Sequence, residues 1–329
     1  MIKKIFAAAV CFLSVLGFTG CSMTKRDLIE TSYDLDAPPH MMFLGDSIAA
    51  GYGLDGYTLN DNYSCPDSYA NILKKQYETE LAETSGHEMQ NFAVSGDTSS
   101  DLLKLLNSGK LDSALSETDA VVVSIGGNDL LGIVLEIIDA LGITAKNKTI
   151  DFSDVDIFKA AAALSTMEED VDNALTGFEA NLKEISSVLN SKTNGVIYIQ
   201  TLYDPLETFT DFPMVTEFSE EKIGKFNEII KTNAADSYTV IDVAADFDGK
   251  CAELTRIADL DIHPNEKGHK VIAEAVDEAF ANTGFTYTKQ EYGEPHLTLS
   301  SILLIMGGIC AMLLVVIIII PKLFKKYEE

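Results

Sequence analysis

Strand-like and helix-like stretches alternate five times between residues 41 and 280, and that rhythm leaves few folds open. The clearest strand is residues 120–125, where Val121, Val122 and Val123 form an unbroken apolar run closed by Gly126 and Gly127. Such a run suits a strand covered on both faces. Residues 41–44, 89–94, 196–200 and 238–243 read as further strands. Helices are expected at 66–81, with Ile72, Leu73 and Tyr77 on one side, and at 98–106, 219–232 and 265–280. A fifth, at 171–189, carries Leu175, Phe178, Leu182, Ile185 and Leu189 at helical spacing. Thr98, with Asp101 three residues on, and Ser219 are candidate N-caps. Alternation of this kind predicts an α/β domain of three layers, with helices on both faces of a five-stranded parallel sheet. Sites in such sheets lie at the carboxyl ends of the strands.

The two ends read differently. Lys3 and Lys4 precede an apolar run over residues 5–18, followed by Thr19-Gly20-Cys21. That is a secretory signal pattern, too short to span a bilayer. It resembles a bacterial lipobox, which makes Cys21 the expected lipidated residue, although Phe18 stands where leucine is usual. Residues 297–320 carry no charge and reach the length of about 20 that a spanning helix needs. Lys322, Lys325 and Lys326 follow, so the C-terminal tail is expected in the cytoplasm and the rest outside it, at the cell membrane. The expected organisation is a signal peptide at 1–20, a linker at 21–39 ending in Pro38-Pro39, and a folded domain at 40–282. A juxtamembrane linker at 283–296, a transmembrane helix at 297–320 and a tail at 321–329 complete it.

The net charge of −27 excludes one class of partner. Residues 22–297 hold 19 basic against 49 acidic side chains, a surface that repels nucleic acid and anionic lipid headgroups alike. Tethering must therefore come from the anchors. Five cysteines are present, and only Cys65 and Cys251 fall in the exported domain. There is no CxxC pair to support a thiolate metal site, and no cofactor is expected. An exported pair is a candidate disulfide, with two free thiols as the alternative.

Four short blocks stand at strand ends: Gly45-Asp46-Ser47-Ile48, Ser95-Gly96-Asp97-Thr98, Gly126-Gly127-Asn128-Asp129 and His263-Pro264-Asn265. A serine hydroxyl needs an adjacent base. Of five histidines, only His263 lies between a strand and a helix at that edge; His40 precedes the first strand, His87 is in a polar turn, His269 is on the last helix and His296 borders the apolar tail. Together the blocks resemble the SGNH (GDSL-type) hydrolases, and in particular their thioesterase/lysophospholipase-like branch, over residues 40–282. Ile48 replaces that family's usual leucine. The resemblance implies a flavodoxin-like fold and a serine esterase or lipase. Ser47 would be the nucleophile and His263 the base. The backbone N–H groups of Ser47 and Gly96 and the side-chain amide of Asn128 would form the oxyanion hole.

The family usually places an aspartate three residues before the histidine, where this chain has Leu260. Asp261 is the first candidate for the triad acid and Asp259 the second; a serine–histidine dyad without an acid is the third reading. Gly51-Tyr52-Gly53-Leu54-Asp55-Gly56 satisfies G-x-G-x-x-G but follows the strand by several residues, so it reads as a mobile loop beside Ser47, not a dinucleotide site. G-x-S-x-G and H-E-x-x-H are absent. Residues 130–170 are an insertion; its apolar part, Leu130 to Ile143, is expected to line an acyl-chain groove, with an ordinary core helix as the alternative, and a second helical stretch is expected at 157–164. The expected substrate is an ester of a lipid, such as a lysophospholipid, or of an acylated glycan. An O-acetyl esterase of cell-envelope polysaccharide is the alternative enzyme, and a non-catalytic binding module on the same fold the alternative class.

Overall fold

A computed structural model of the chain describes residues 23–82, 86–142, 144–146, 149–151, 157–235 and 237–325. The signal segment and Cys21 lie outside the described residues. The chain divides into two compact units, Tyr33–Tyr287 and a smaller one built from both ends of the chain.

The larger unit is the expected α/β domain. Its strands are β1 (His40–Gly45), β2 (Glu88–Asn91), β3 (Ala120–Ser124), β4 (Val196–Gln200) and β5 (Thr239–Ile241). They pair in parallel in the order 2-1-3-4-5. That is the flavodoxin-like order, whose switch point lies between β1 and β3. Side-chain alternation sorts the core. Met41, Phe43 and Val122 face α1 (Tyr69–Glu80) and α6 (Glu266–Thr283), packing with Leu73, Tyr77, Ile272 and Phe280. Met42, Leu44, Val121 and Val123 face α2 (Ser99–Asn107), α4 (Ile157–Lys192) and α5 (Pro213–Thr232), packing with Leu102, Phe178, Leu182 and Phe226. The period-2 alternation of a strand produces both faces from consecutive residues.

Local sequence explains most element ends. Thr98 and Asp101 form a capping box on α2, which satisfies two amides that the first turn would leave open. Ser68 caps α1, so that helix begins three residues after the expected Pro66. Two helices are longer than expected. Pro213 starts α5 at its first position, six residues before Ser219; proline's missing N–H costs nothing there. Ser219 therefore sits inside the helix, and its Oγ donates to Asp204 Oδ2 at 2.7 Å instead of capping. The stretches expected at 157–164 and 171–189 are one 36-residue helix, α4. Buried Leu164, Met167, Val171, Leu175 and Phe178 carry one apolar face through the polar residues between.

The insertion after β3 forms α3 (Gly127–Leu141), a short hairpin of Thr144–Lys146 with Thr149–Asp151, and the start of α4. It has its own small core. Ile137, Ile138, Leu164 and Met167 pack with Leu206, Phe209, Val215 and Ile257, and Leu260 and Ile262 lie against them.

The stretches expected as linkers contain paired strands. Thr24–Lys25 pairs antiparallel with His296–Leu297. Leu28–Leu35 pairs with Phe285–Tyr292, where Ser32 meets Thr288 and Glu30 meets Gln290. Both strands are mostly exposed, so they lack the apolar alternation that marks a half-buried strand, although their threonines and tyrosines favour extended backbone. Beyond them, Leu299–Lys322 is long and apolar enough to cross a membrane; its most apolar 18-residue stretch has a mean hydropathy of 3.2 and none of it is buried.

Candidate active site

β1 ends against β3 in a way only glycine allows. Gly45 has φ +132°, and a Cβ there would lie 1.9 Å from the Ser124 carbonyl oxygen. The close approach lets Asp46 N–H donate to Ser124 O at 3.0 Å. The chain then turns into the helical turn Ser47–Ala50, capped by Asp46, whose Oδ1 accepts from Ile48 N–H at 3.0 Å. Asp46 is buried, and burial pushes its carboxyl up to about 7 against the opposing pull of the Ile48 N–H and the charge of His263. Ser47 is left at the head of this turn.

His263 reaches Ser47 from outside the sheet. It lies on β7 (Asp261–Pro264), which pairs antiparallel with β6 (Thr255–Arg256) in a two-stranded ribbon. Its Nε2 is 2.8 Å from Ser47 Oγ, and its Nδ1 is 2.5 Å from Asp261 Oδ1. The same carboxylate oxygen accepts from His263 N–H at 3.1 Å. The spacing follows from strand geometry, in which residues two apart share a face. Asp261 therefore sits beside the ring, whereas Leu260, in a left-handed conformation at φ +57°, packs into the small core with Ile257. Asp259 is exposed in the turn Ile257–Asp259, and the ring takes Asp261. Burial pushes the Asp261 carboxyl up, but the hydrogen bonds from His263 and the charges of His263 and Arg256 outweigh it and hold it below the usual carboxylate range.

Gly96 and Asn128 are stitched to the same edge. Val94 N–H donates to Gly45 O at 2.9 Å, which sets the Ser95-Gly96 turn beside the end of β1. Gly96 has φ +93° and open space where a Cβ would stand. Asn128, in the first turn of α3, donates Nδ2–H to Asp97 O at 2.9 Å. That bond fixes the plane of the amide, which carries a second hydrogen on the same nitrogen. Asp129 accepts from Ser99 N–H at 2.9 Å and Ser99 Oγ at 2.6 Å, tying α3 to α2.

The glycine-rich loop makes side-chain bonds to its neighbours. Gly51, Gly53 and Gly56 all have φ between +81° and +85°. Tyr57 Oη and Ser95 Oγ are 2.6 Å apart, Asn62 Nδ2 donates to Ala93 O at 2.8 Å, and Arg256 donates to Gly53 O. The Tyr52 ring lies 4.5 Å from the His263 ring, centre to centre. These partners come from the 93–95 turn and from the ribbon that carries His263.

A cavity of about 50 Å³ lies at the carboxyl edge, lined by Ile48, Gly127, Leu130, Gln200, Tyr203 and Ile262 among others. A second, of about 30 Å³, shares Leu130, Pro205 and Ile223 with it and continues to Ile133 and Ile137. Only part of the 130–143 stretch therefore faces cavity space; Ile138 packs into the small core, and Ile143 lies outside the described residues.

The expected disulfide is not formed. Cys65 and Cys251 are buried free thiols. Cys65 packs beneath Gly51 beside Ser68, while Cys251, at the start of the short helix Cys251–Leu254, lies 3.9 Å from Phe247 O. Burial pushes both thiols up. Among the described residues, no group of three or more His, Cys, Asp or Glu side chains is placed to hold a metal ion. Sequence reading missed Arg256, whose Nε lies 3.3 Å from Asp261 Oδ2. It carried a signal: the chain's only arginines are Arg26 and Arg256, and the second stands seven residues before His263.

Known proteins resemble this chain over the α/β domain. The model of the GDSL-like Lipase/Acylhydrolase family matches residues 43–271. YpmR of Bacillus subtilis, an uncharacterized protein, is 29% identical over 82% of this chain and 94% of its own. The spore germination lipase LipC of Bacillus licheniformis is 25% identical over 70% of this chain and 91% of its own. Among solved structures, phospholipase A1 from Streptomyces albidoflavus superposes with a TM-score of 0.54 at 20% identity, over 74% of this chain and 99% of its own, a likeness of fold.

Proposed function

Because the chain belongs to the GDSL-like lipase/acylhydrolase family and is a carboxylic ester hydrolase, we propose that it cleaves acyl esters of lipid character at a membrane surface, using Ser47, His263 and Asp261. The observation that carries this reading is the unbroken relay from Ser47 Oγ to His263 Nε2 at 2.8 Å and from His263 Nδ1 to Asp261 at 2.5 Å. Ser47 Oγ attacks the ester carbonyl as His263 takes its proton. The oxyanion draws on Ser47 N–H, Gly96 N–H and Asn128 Nδ2–H. His263 then protonates the departing alcohol, leaving an acyl group on Ser47, and activates the water that releases it. Asp261 orients the ring and stabilises its charged form.

The apolar cavity beside Leu130 and Ile48 supports an alkyl acyl group. Each buried methylene is worth about 0.8 kcal/mol, so two already favour a longer chain by more than tenfold. The relative named a lipase favours the same reading. In the cell, Leu299–Lys322 crosses the cytoplasmic membrane with Lys325 on the inner side, the hydrolase domain lies outside, and lipid on Cys21 adds a second anchor. Cys21→Ala should leave the protein membrane-bound, since a spanning helix far outweighs one lipid chain. Turnover of p-nitrophenyl esters from acetate to palmitate by the full chain in detergent micelles tests the substrate. Activity should peak at medium chains. Activity that peaks at acetate and falls steadily would replace this reading with deacetylation of a cell-envelope polysaccharide.

A further inference from the structure

We propose that Arg256 is a positioning residue for the triad: its guanidinium holds Asp261 and the Gly53 carbonyl at once, fixing the face that Asp261 presents to His263. The inference rests on the reading of Asp261 as the triad acid. Four observations carry it.

First, the carboxylate is divided between two partners. Oδ1 accepts from the His263 ring and backbone, while Oδ2 faces Arg256 Nε at 3.3 Å. A carboxylate held through both oxygens cannot swing about its last torsion without losing one of them. Second, the pair is built into the ribbon. Arg256 and Asp261 are cross-strand partners, and the register shifts between Thr255 and Arg256. Irregularities of this kind re-aim a side chain. Third, the same guanidinium donates to Gly53 O. Gly53 has φ +85°, and a Cβ there would lie 3.5 Å from both Arg256 Cδ and Asp261 Oδ2, so the loop meets the ion pair backbone-on. Fourth, the choice of residue is selective. The chain has 22 lysines and two arginines, and a planar fork serves two acceptors where an ammonium is a single point charge.

The need for such a tie follows from the ribbon. Two short strands alone are marginal in water, and the base and its acid hang on them. The Arg256 side chain is 40% exposed, so the pair adds little to global stability. Its contribution is geometric: a displacement near 1 Å in a catalytic group can cost about a hundredfold in rate.

The test compares the full chain in detergent micelles with Arg256→Ala, Arg256→Lys, Asp261→Ala and the Arg256→Ala/Asp261→Ala double variant on p-nitrophenyl butyrate. Arg256→Ala should lower kcat about ten- to a hundredfold with KM and thermal midpoint unchanged. Arg256→Lys should recover part of the loss by restoring the charge. The double variant should be no slower than Asp261→Ala, because Arg256 acts through Asp261. Normal turnover by Arg256→Ala, with Asp261→Ala slow, would overturn this inference alone. So would additive losses in the double variant, or a loss matched by a lower thermal midpoint with no recovery by lysine. Full activity of Asp261→Ala would overturn both the triad acid and Arg256.

Discussion

The two halves of the site are supported in opposite ways. Ser47, Gly96 and Asn128 follow the ends of β1, β2 and β3, three adjacent strands of a sheet buried on both faces. His263 and Asp261 stand on a ribbon of two short strands, held to the rest by side chains: Arg256 to Gly53, Tyr52 against His263 and Tyr203 Oη to Ile262 O at 2.7 Å. On the sheet side, backbone packing sets the geometry and little freedom remains. On the ribbon side, a few side-chain contacts set it. The sheet half should therefore fail by unfolding when disturbed, and the ribbon half by losing rate while staying folded.

The largest effect should come from Gly45→Ala. Its Cβ would meet the Ser124 carbonyl at 1.9 Å with φ at +132°, and the loss should reach several kcal/mol, seen as failure to accumulate folded protein. Gly53→Ala, on the ribbon side, meets its nearest atoms only at 3.5 Å. It should cost about 1–2 kcal/mol for the left-handed backbone, with a larger proportional fall in kcat. Equal stability losses at the two glycines would erase the distinction.

Substitutions of the reacting groups come next. Ser47→Ala and His263→Ala should each lower kcat by about 10⁴-fold or more with the thermal midpoint unchanged. Asp261→Ala should cost far more activity than Asp259→Ala, and the reverse order would move the acid's role to Asp259. Asn128→Ala should leave a residue of activity, a loss of about 10²–10³-fold.

The remaining effect is one of pH, and it belongs to the sheet side. A free aspartate titrates near 4, and burial pushes Asp46 up to about 7. Its contribution to stability is fully present below about pH 4 and is lost as pH rises through about 7, at about 1.4 kcal/mol per pH unit within that window. Asp46→Asn keeps an oxygen for Ile48 N–H and should remove this slope. His269, fully buried and driven down to about 3 by burial, acts in the opposite sense. Its contribution is present above about pH 6.5 and lost as pH falls towards 3. The Asn variant should therefore show the His269 loss on the acid side more plainly. Denaturant midpoints from pH 3 to 8 would check both.

The same division explains what could be read from sequence. The strands and the four blocks were legible because each is contiguous: an apolar run ends, and a short turn carries the residue. Asp261 was legible as a candidate only through its nearness to His263, and the strand that puts both on one face was not. Arg256 was illegible because its partner depends on the register of a two-stranded ribbon closed by a left-handed Leu260. The strands within 21–39 and 283–296 lacked apolar periodicity because neither of their faces is buried. The cysteine pairing rests in the sequence only on Cys65 and Cys251 being the two left in the expected exported domain, whereas Cys65 packs beneath Gly51.

The central claim is that Ser47 is a nucleophile activated by His263. A fluorophosphonate that forms a stable bond with activated serines tests it directly, with the modified peptide identified by mass spectrometry in the full chain and in His263→Ala. A single adduct should form on Ser47 in the full chain, and at least about a hundredfold more slowly in the His263→Ala variant. An adduct elsewhere with Ser47 unmodified, or equal rates in the two proteins, would contradict it.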